Sequence, residues 1–113
     1  MAHYAFLDQN NIVTEVIVGI DENELIEGKK PEDWYAEFRG QKCVRTSFNG
    51  KIRGVFAAIG FYYDQDLDLF ITPQPFKSWI QNGSFWVAPK PKPEGLNWYW
   101  DEESGDWLDG EAL

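Results

Sequence analysis

The fold is decided by residues 79–93, which read WIQNGSFWVAPKPKP. Two short aromatic runs flank Asn82-Gly83, a pair that favours a tight hairpin turn, and a Pro-Lys-Pro-Lys-Pro segment follows them. Proline cannot donate a backbone hydrogen bond to a β-ladder and favours a stiff, extended backbone. The stretch therefore predicts a β-hairpin that ends in a semi-rigid spacer.

The same order of features recurs on both sides of this stretch. Residues 61–71 contain an aromatic run, an acidic turn and a second apolar run, and Pro73-Gln74-Pro75 follows them. Residues 98–108 repeat the pattern around a turn at Ser104-Gly105. Isolated hairpins are marginally stable in water. We therefore expect these aromatic hairpins to pack on each other, on the first half of the chain or on another molecule.

Two further hairpins are indicated in the first half. Residues 3–8 and 12–19 are typical of strands around an Asn-rich turn, and the second run is rich in β-branched residues, which favour sheets. Asn49-Gly50 is a two-residue hairpin signal. It predicts a second hairpin with strands over residues 42–48 and 51–56.

Short helices are indicated between these two hairpins. One would begin at Asp21, with Glu24 positioned to complete a capping box, and end at Gly28. The other would begin at Pro31 and end at Gly40, because proline suits the first helical position and glycine the C-terminal cap. Its aromatic side chains recur at helical spacing and are expected to face the core: Trp34, Tyr35 and Phe38.

Together these patterns predict a mainly β (α+β) fold, with antiparallel hairpins and one or two short helices after the first hairpin. A chain of 113 residues is close to the commonest size of one domain. We expect a single domain over residues 1–113. Residues 1–60 would hold the first hairpin, the short helices and the second hairpin, and residues 61–113 the aromatic hairpins separated by Pro-x-Pro segments.

Composition and charge make several functions improbable. The formal net charge of −9 opposes binding to nucleic acid, whose affinity for proteins comes from Lys and Arg. No apolar run approaches the length of a membrane-spanning helix, so no membrane partner is expected. Cys43 is the only cysteine and cannot form an intramolecular disulfide. Synthesis in a cytoplasm fits this cysteine usage best.

No recognisable catalytic or metal-binding constellation occurs. His3 is the only histidine, so with Cys43 it offers too few soft ligands for a transition-metal site. Residues 64–68, DQDLD, open like a calcium loop, but Leu69 stands where the loop needs glycine and Pro75 where it needs a closing Glu. We expect an acidic turn there, no metal, no cofactor and no enzymatic activity.

The large number of aromatic residues is the most suggestive feature that remains. Aromatics make up 17% of the chain, with 6 Trp, and Trp and Tyr dominate binding energy at protein interfaces. We expect the aromatics of the second half to act as core or interface anchors: Trp79, Trp86, Trp98, Tyr99, Trp100 and Trp107. Exposed Trp and Tyr also stack on sugar rings, so a small carbohydrate-binding module is an alternative.

Several runs resemble small proteins of marine tailed phages, those of cyanophages in particular. They are YAFLD at 4–8 with IVTEVIV at 12–18, RTSFNG at 45–50, PQPFKSW at 73–79, and WYWD at 98–101 with Trp107. The resemblance covers most of the chain and implies a phage-encoded protein. It carries over no catalytic residues.

From this resemblance, the size and the aromatic content, we expect a non-enzymatic virion structural protein, either a capsid decoration or a neck or tail accessory subunit. It would be made in the host cytoplasm and localise to the virion. Its partners would be other phage structural proteins, with a homo-oligomer left open. The alternatives are a carbohydrate-binding module of a phage fibre or lysis system, and an acidic regulator of host proteins.

Overall fold

In the computed structural model, which describes residues 2–110, the chain is mainly β, with antiparallel sheets and one short helix. This confirms a mainly β fold of antiparallel strands. The chain forms two compact units, Met1–Pro73 and Gln74–Leu113. The division lies after Pro73 and not after residue 60, because the hairpin that begins at Tyr62 is hydrogen-bonded into the first unit. That the whole chain acts as one domain stays a prediction.

The first unit is built on an antiparallel sheet with the strand order β2-β1-β3. Its strands are β1 (Ala2–Leu7), β2 (Val13–Gly19) and β3 (Lys42–Thr46). In the β1–β2 turn, Asn11 takes a φ of 64°. The Asp8 carboxylate accepts hydrogen bonds there from the N–H groups of Asn10 and Ile12, at 2.8 and 3.0 Å. Asn and Asp favour turns for these two reasons, and the first predicted hairpin is confirmed.

The central strand β1 is buried on both of its faces. Ala5 and Leu7 join a core cluster that includes Phe70. Tyr4 and Phe6, which alternate with them along the strand, join a second cluster. A buried ring removes roughly 150–250 Å² from water, so these two clusters supply the main apolar burial of the first unit.

A single helix, α1 (Pro31–Arg39), lies between β2 and β3 in the described part of the chain. Pro31 occupies its first turn, where its missing N–H costs no hydrogen bond. Gly40 ends the helix in the left-handed conformation, with a φ of 65°. Glu32 and Asp33 lie at the positive end of the helix dipole, which stabilises the helix start.

The aromatic side chains of α1 do not face the core together, and that expectation was wrong. Tyr35 packs against Tyr4, with ring centroids 5.1 Å apart. Phe38, however, is 72% exposed and stacks on Trp34, with centroids 5.0 Å apart. Successive helical residues point about 100° apart. Tyr35 thus faces the sheet, whereas Trp34 is half-buried and Phe38 is exposed.

No helix forms between Asp21 and Gly28, where a second one was considered. The Asp21 carboxylate caps a local turn instead. Ile26 and Lys29 then exchange backbone hydrogen bonds of 2.9 Å across Glu27-Gly28, whose φ angles are 51° and 80°. This tight turn uses the residues that a second helical turn would need.

The prediction of a second hairpin around Asn49-Gly50 is wrong. The chain turns there, but β3 pairs with β1 and not with residues 51–56. The chain turns again at Arg53 and Gly54, where φ is 52° and 73°. A positive φ is uncommon for a residue other than glycine. This second turn prevents residues 51–56 from running back along β3.

Both strands of the first aromatic hairpin are hydrogen-bonded to the rest of the first unit. It consists of β4 (Tyr62–Asp64) and β5 (Leu69–Ile71). The Tyr63 N–H donates to the Asn11 carbonyl at 2.9 Å, and the Phe70 N–H donates to the Arg53 carbonyl at 2.9 Å. One backbone hydrogen bond thus ties each strand of this hairpin to the rest of the first unit.

The second unit contains the other two aromatic hairpins, which confirms those predictions. They are β6 (Ile80–Asn82) with β7 (Phe85–Val87), and β8 (Trp98–Asp101) with β9 (Asp106–Asp109). Gly83 and Gly105 take positive φ angles of 63° and 68° in the two turns. Among residues 74–110 only Ser84 and Trp100 are buried, so this unit has a very small core.

Candidate interaction surface on the aromatic hairpins

Three tryptophans form the centre of the second unit. Trp100 and Trp107 lie opposite each other in the β8–β9 register, with ring centroids 5.4 Å apart. Trp79, just before β6, lies 6.2 Å from Trp100 and 6.1 Å from Trp107. These three rings are named the indole cluster. Edge-to-face and tilted pairs of this kind stabilise a fold beyond the area that they bury.

A carboxylate ties the segment before β6 to the turn after β8. Glu102 accepts hydrogen bonds from the Ser78 hydroxyl at 2.6 Å, the Ser78 N–H at 3.1 Å and the Trp100 Nε1–H at 2.8 Å. These hydrogen bonds favour the charged form and lower the pKa of Glu102, with the Ser78 hydroxyl contributing most. Glu102 therefore fixes the position of the indole cluster.

The proline-rich spacer lies against the same cluster. The Trp107 Nε1–H donates to the Lys90 carbonyl at 2.9 Å. The Lys90 ammonium lies 3.6 Å from the Asp106 carboxylate, and the Lys92 ammonium lies 5.9 Å from the centre of the Trp107 ring. Extended proline-rich segments often dock on aromatic residues in this way. The spacer between the two hairpins is thus fixed by contacts.

Each hairpin of the second unit leaves one apolar face exposed. Ile80 pairs with Val87 and Asn82 with Phe85, and side chains alternate along a strand, so these four share one face, named the B face. Ile80 and Phe85 are 58% and 57% exposed. On the other hairpin, Tyr99 pairs with Leu108 and Asp101 with Asp106. These four form the second exposed face, named the C face.

The structure separates the site residues expected from the sequence into two groups. The indole cluster holds Trp79, Trp100 and Trp107 together, and Trp98 shares their face of β8–β9. Trp98 is half-buried and its Nε1–H donates to the Glu94 carbonyl at 3.2 Å. The remaining two lie elsewhere in the strand register: Trp86 is opposite Gln81, on the face of β6–β7 away from the B face, and Tyr99 is on the C face.

Sequence reasoning missed the apolar side chains of the B face and one of the C face. They are Ile80, Phe85, Val87 and Leu108. Period-2 alternation around Gly83 and Gly105 would have placed them on outward faces. The tryptophans were the expected anchors instead, although Trp100 is buried and the other tryptophans of the second unit are half-buried.

One polar atom of the indole cluster has no hydrogen-bond partner among residues 2–110. It is Trp79 Nε1, which is buried although the residue as a whole is only half-buried. An unpaired buried N–H costs free energy. The packing of the indole cluster therefore costs free energy at the unpaired Trp79 N–H. The aromatic contacts of the cluster must outweigh that cost.

A second polar cluster lies in the first unit. Arg53 Nε donates to the Asp68 carboxylate at 2.8 Å, and the Tyr63 hydroxyl donates to the same oxygen. The hydrogen bond from Tyr63, followed by the one from Arg53, lowers the pKa of Asp68. Burial, followed by the Asp68 hydrogen bond, raises the pKa of Tyr63 to about 12. These groups satisfy one another and hold β4–β5 in place.

Three candidates for metal binding or nucleophilic chemistry each contribute to the fold: His3, Cys43 and the acidic turn of residues 64–68. His3 packs against the Phe48 and Phe56 rings, and burial raises the pKa of the Cys43 thiol to about 12. In the acidic turn, the Asp64 carboxylate accepts two backbone hydrogen bonds of 3.0 Å. No group of three or more potential metal ligands occurs within residues 2–110. In the same range, no helix has the length and apolar character to cross a bilayer.

The geometry of the second unit suits binding through its surface. Its aromatic rings are held by one another, by Glu102 and by the proline-rich spacer, and they support two outward apolar faces. Searches against protein-family models, curated proteins and solved structures found no match.

Proposed function

We propose that the chain is a non-enzymatic virion structural protein of a tailed phage, either a capsid decoration or a neck or tail accessory subunit. It binds a protein lattice through the aromatic and proline-rich surfaces of the second unit. The resemblance to marine phage proteins motivates the setting. The observation that supports a binding role is the exposure of the B face and the C face.

The face of β4–β5 that corresponds to the B face and the C face is more fully covered than they are. In β4–β5 the outward pair is Tyr62 and Ile71, and Ile71 is only 2% exposed. The equivalent pair is exposed at both positions in each hairpin of the second unit. Covering a large apolar side chain contributes roughly 1.5–3 kcal/mol. A partner that covered both faces would supply the burial that the second unit lacks.

The carbohydrate-binding alternative receives less support. Stacking on a sugar needs an aromatic ring with an open face. The indole cluster packs its rings against one another, and Trp107 is also covered by the Lys90–Lys92 spacer. Tyr99 is the aromatic residue of the C face and is 37% exposed. The other exposed ring of the two faces, Phe85, lies among the aliphatic side chains of Ile80 and Val87, which favours a protein contact over a sugar platform.

Mass spectrometry of purified particles of the encoding phage tests this proposal. We expect the chain in many copies per particle, retained after washing at moderate salt. Consistent absence from purified particles would contradict the proposal. A fluorescence glycan array provides the complementary test, because sugar stacking would quench tryptophan emission whereas a lattice subunit would give no response.

Two variants locate the binding surface. In phage that carries Tyr99→Asp, we expect the subunit to be lost from particles, because a buried, unpaired charge at an interface is costly. The matched control is Leu25→Asp, which introduces the same charge at an exposed leucine in a turn of the first unit. Equal retention of both variants would exclude the C face as the contact surface.

A further inference from the structure

The sheet of the first unit leaves part of one edge without a neighbouring strand. Arg45 in β3 donates its N–H to a carboxylate of α1 at 2.9 Å, so its backbone groups point away from β1. Tyr4, opposite Arg45, therefore directs its own N–H and C=O towards β2, where it pairs with Ile17. Successive residues of a strand direct these groups to opposite sides. Val16 and Val18 thus direct theirs away from the sheet.

This unpaired stretch of β2 is bounded at both of its ends. Residues 60–61 hydrogen-bond to both backbone groups of Val13, at 2.8 and 2.9 Å, and cover the start of the strand. Just beyond its end, the N–H and the carbonyl of Ile20 are both bound to tyrosine hydroxyls. Between these points, the outward groups of Val16 and Val18 have no hydrogen-bond partner among residues 2–110. The stretch is named the open edge.

An open edge of this kind fits one class of partner, which is another β-strand. Only a strand presents donors and acceptors at the spacing of the outward groups, and exposed edges pair with strands of other chains for this reason. Val18 is also 58% exposed, so a paired strand would cover apolar surface as well as backbone groups.

We infer that two copies of the chain pair through their open edges, as antiparallel strands related by a two-fold axis at Ile17. Val16 of one copy then lies opposite Val18 of the other, and each outward N–H donates to an outward carbonyl. The two sheets become one continuous sheet. The inference goes beyond the proposed function, because it concerns the first unit and does not depend on what the second unit binds.

The start of β2 selects this axis. If the axis lay at Val16, the last residue of β2 in the second copy would come opposite Val13, where residues 60–61 already lie. With the axis at Ile17, Asp21 would come opposite Val13 instead. β2 has ended by then, and Asp21 belongs to the turn that carries the chain away from the sheet.

The end of β2 selects the same axis. With the axis at Ile17, Glu15 of one copy comes opposite Gly19 of the other, so no like charges are opposed. Gly19 has no side chain, which leaves room for the ion pair between Glu15 and Arg39. An axis at Val18 would instead require the backbone groups of Ile20, which are already bound within their own chain.

The boundaries of the open edge favour a second copy over a longer strand of another protein. An incoming strand must leave the edge before it reaches Val13, and β2 of a second copy does so at Asp21. The other edge of the sheet is closed, because Arg45 is bound to Glu32 through its N–H and to Arg53 through its carbonyl, at 2.9 and 3.0 Å. Pairing therefore stops at a closed two-fold dimer.

Sedimentation velocity of the purified chain tests the inference. The paired stretch is short, so we expect a weak dimer that is half-formed between about 10 µM and about 1 mM. Its mass should be twice the 13.1 kDa of the monomer. A chain that stays monomeric up to about 1 mM would overturn the inference.

Amide hydrogen exchange locates the contact. At low concentration the Val16 and Val18 amides should exchange quickly, and they should become protected as the dimer forms. The Ile17 amide, which faces β1, should be protected at every concentration and is the internal control. A dimer that leaves Val16 and Val18 unprotected would overturn the inference. So would protection that appears only when another protein is added, because it would assign the open edge to a foreign strand.

Variants at Val18 separate pairing from folding. Val18→Pro removes the outward N–H and no bond to β1, which an edge strand tolerates, and should weaken the dimer by at least about tenfold. Val18→Lys keeps the backbone and places a charge in the contact, with the same expected effect. Val18→Thr is the matched control, since it keeps the N–H and the branched shape, and it should dimerise like the wild type.

Far-ultraviolet circular dichroism verifies that each variant is folded. Undiminished association of folded Val18→Lys would overturn the inference even if Val18→Pro does not fold. The outcome is separate from that for the proposed function. A dimer with protected Val16 and Val18, in a chain that is absent from phage particles, would sustain this inference and contradict the virion role.

Discussion

Trp100 and Trp107 face each other across β8–β9, with ring planes inclined at 75° and centroids 5.4 Å apart. Trp100 is only 7% exposed, and its N–H is bound to Glu102. The second unit buries one other residue, Ser84, in its described part. Its stability therefore depends on this pair far more than the stability of an ordinary domain depends on two side chains.

Replacing Trp100 with alanine should unfold or nearly unfold the second unit. Removing a buried Trp costs about 3–5 kcal/mol, which is comparable to the whole stability of a small domain. Urea denaturation followed by tryptophan emission measures this, since five of the 6 Trp lie in the second unit. Leu96→Ala is the control and should change the stability by less than about 0.5 kcal/mol. Equal losses in both variants would contradict a central role for Trp100.

The hydrogen bonds to Glu102 predict a loss of stability in acid. Its pKa is lowered in the folded state from the ordinary 4.5, so their contribution is present above that value and is lost as the pH falls through the folded pKa. The urea midpoint of the second unit should therefore fall as the pH is lowered below 4.5. Glu102→Gln should flatten this dependence. Glu103→Gln should preserve it, because Ser78 and Trp100 donate to Glu102.

The Tyr63 hydroxyl should titrate in strong alkali. Burial and the Asp68 carboxylate raise its pKa from 10.0 to about 12. Stability from the neutral phenol is therefore complete below pH 10 and is lost as the pH rises through about 12. In an absorbance titration of the tyrosines, Asp68→Asn should lower the pKa of Tyr63 only in part, because burial is the larger cause. Asp66→Asn is the control, and an equal shift there would exclude the local hydrogen bond as a cause.

The Cys43 thiol should react slowly in the native protein. Burial raises its pKa from 9.0 to about 12, and the thiolate is the reactive form. At pH 8 the native thiolate population should be about a thousandfold lower than in the unfolded chain, with a similar ratio of rates. Reaction with a chromogenic disulfide in buffer and in urea measures both rates. Native labelling as fast as unfolded labelling would show that Cys43 is not protected.

Local patterns were sufficient to predict the hairpins that depend on local chemistry. The β1–β2 turn needed only Asp8 and Asn11, whose side chain and backbone preferences favour it. The aromatic hairpins needed only alternation and a glycine in the turn. Their existence follows from residues close in sequence, and sequence reasoning is strongest there.

The failed predictions depend on contacts distant in sequence. The strand predicted after Asn49-Gly50 does not form, because Arg53 takes a positive φ and its carbonyl accepts a hydrogen bond from the distant Phe70 N–H. The exposed position of Phe38 follows from which side of α1 meets the sheet. Neither fact can be obtained from local propensity, because tertiary packing overrides it.

The candidate surface was predicted only in part. The sequence identified Trp79, Trp100 and Trp107 as anchors, and the structure brings these three together. It did not identify Ile80 and Phe85 as outward residues, because the sequence alone does not show which face of each strand is exposed. Strand register was the missing information.

The bond from Trp107 to the Lys90 carbonyl also has a mechanical consequence. A linker between two hairpins would normally absorb a pull by straightening. In the second unit the Lys90 carbonyl is bonded to the Trp107 indole. Force applied along the backbone should therefore pass from one hairpin to the other before the rest of the linker straightens. The second unit should resist tension until this hydrogen bond and the neighbouring contacts of Lys90 and Lys92 break.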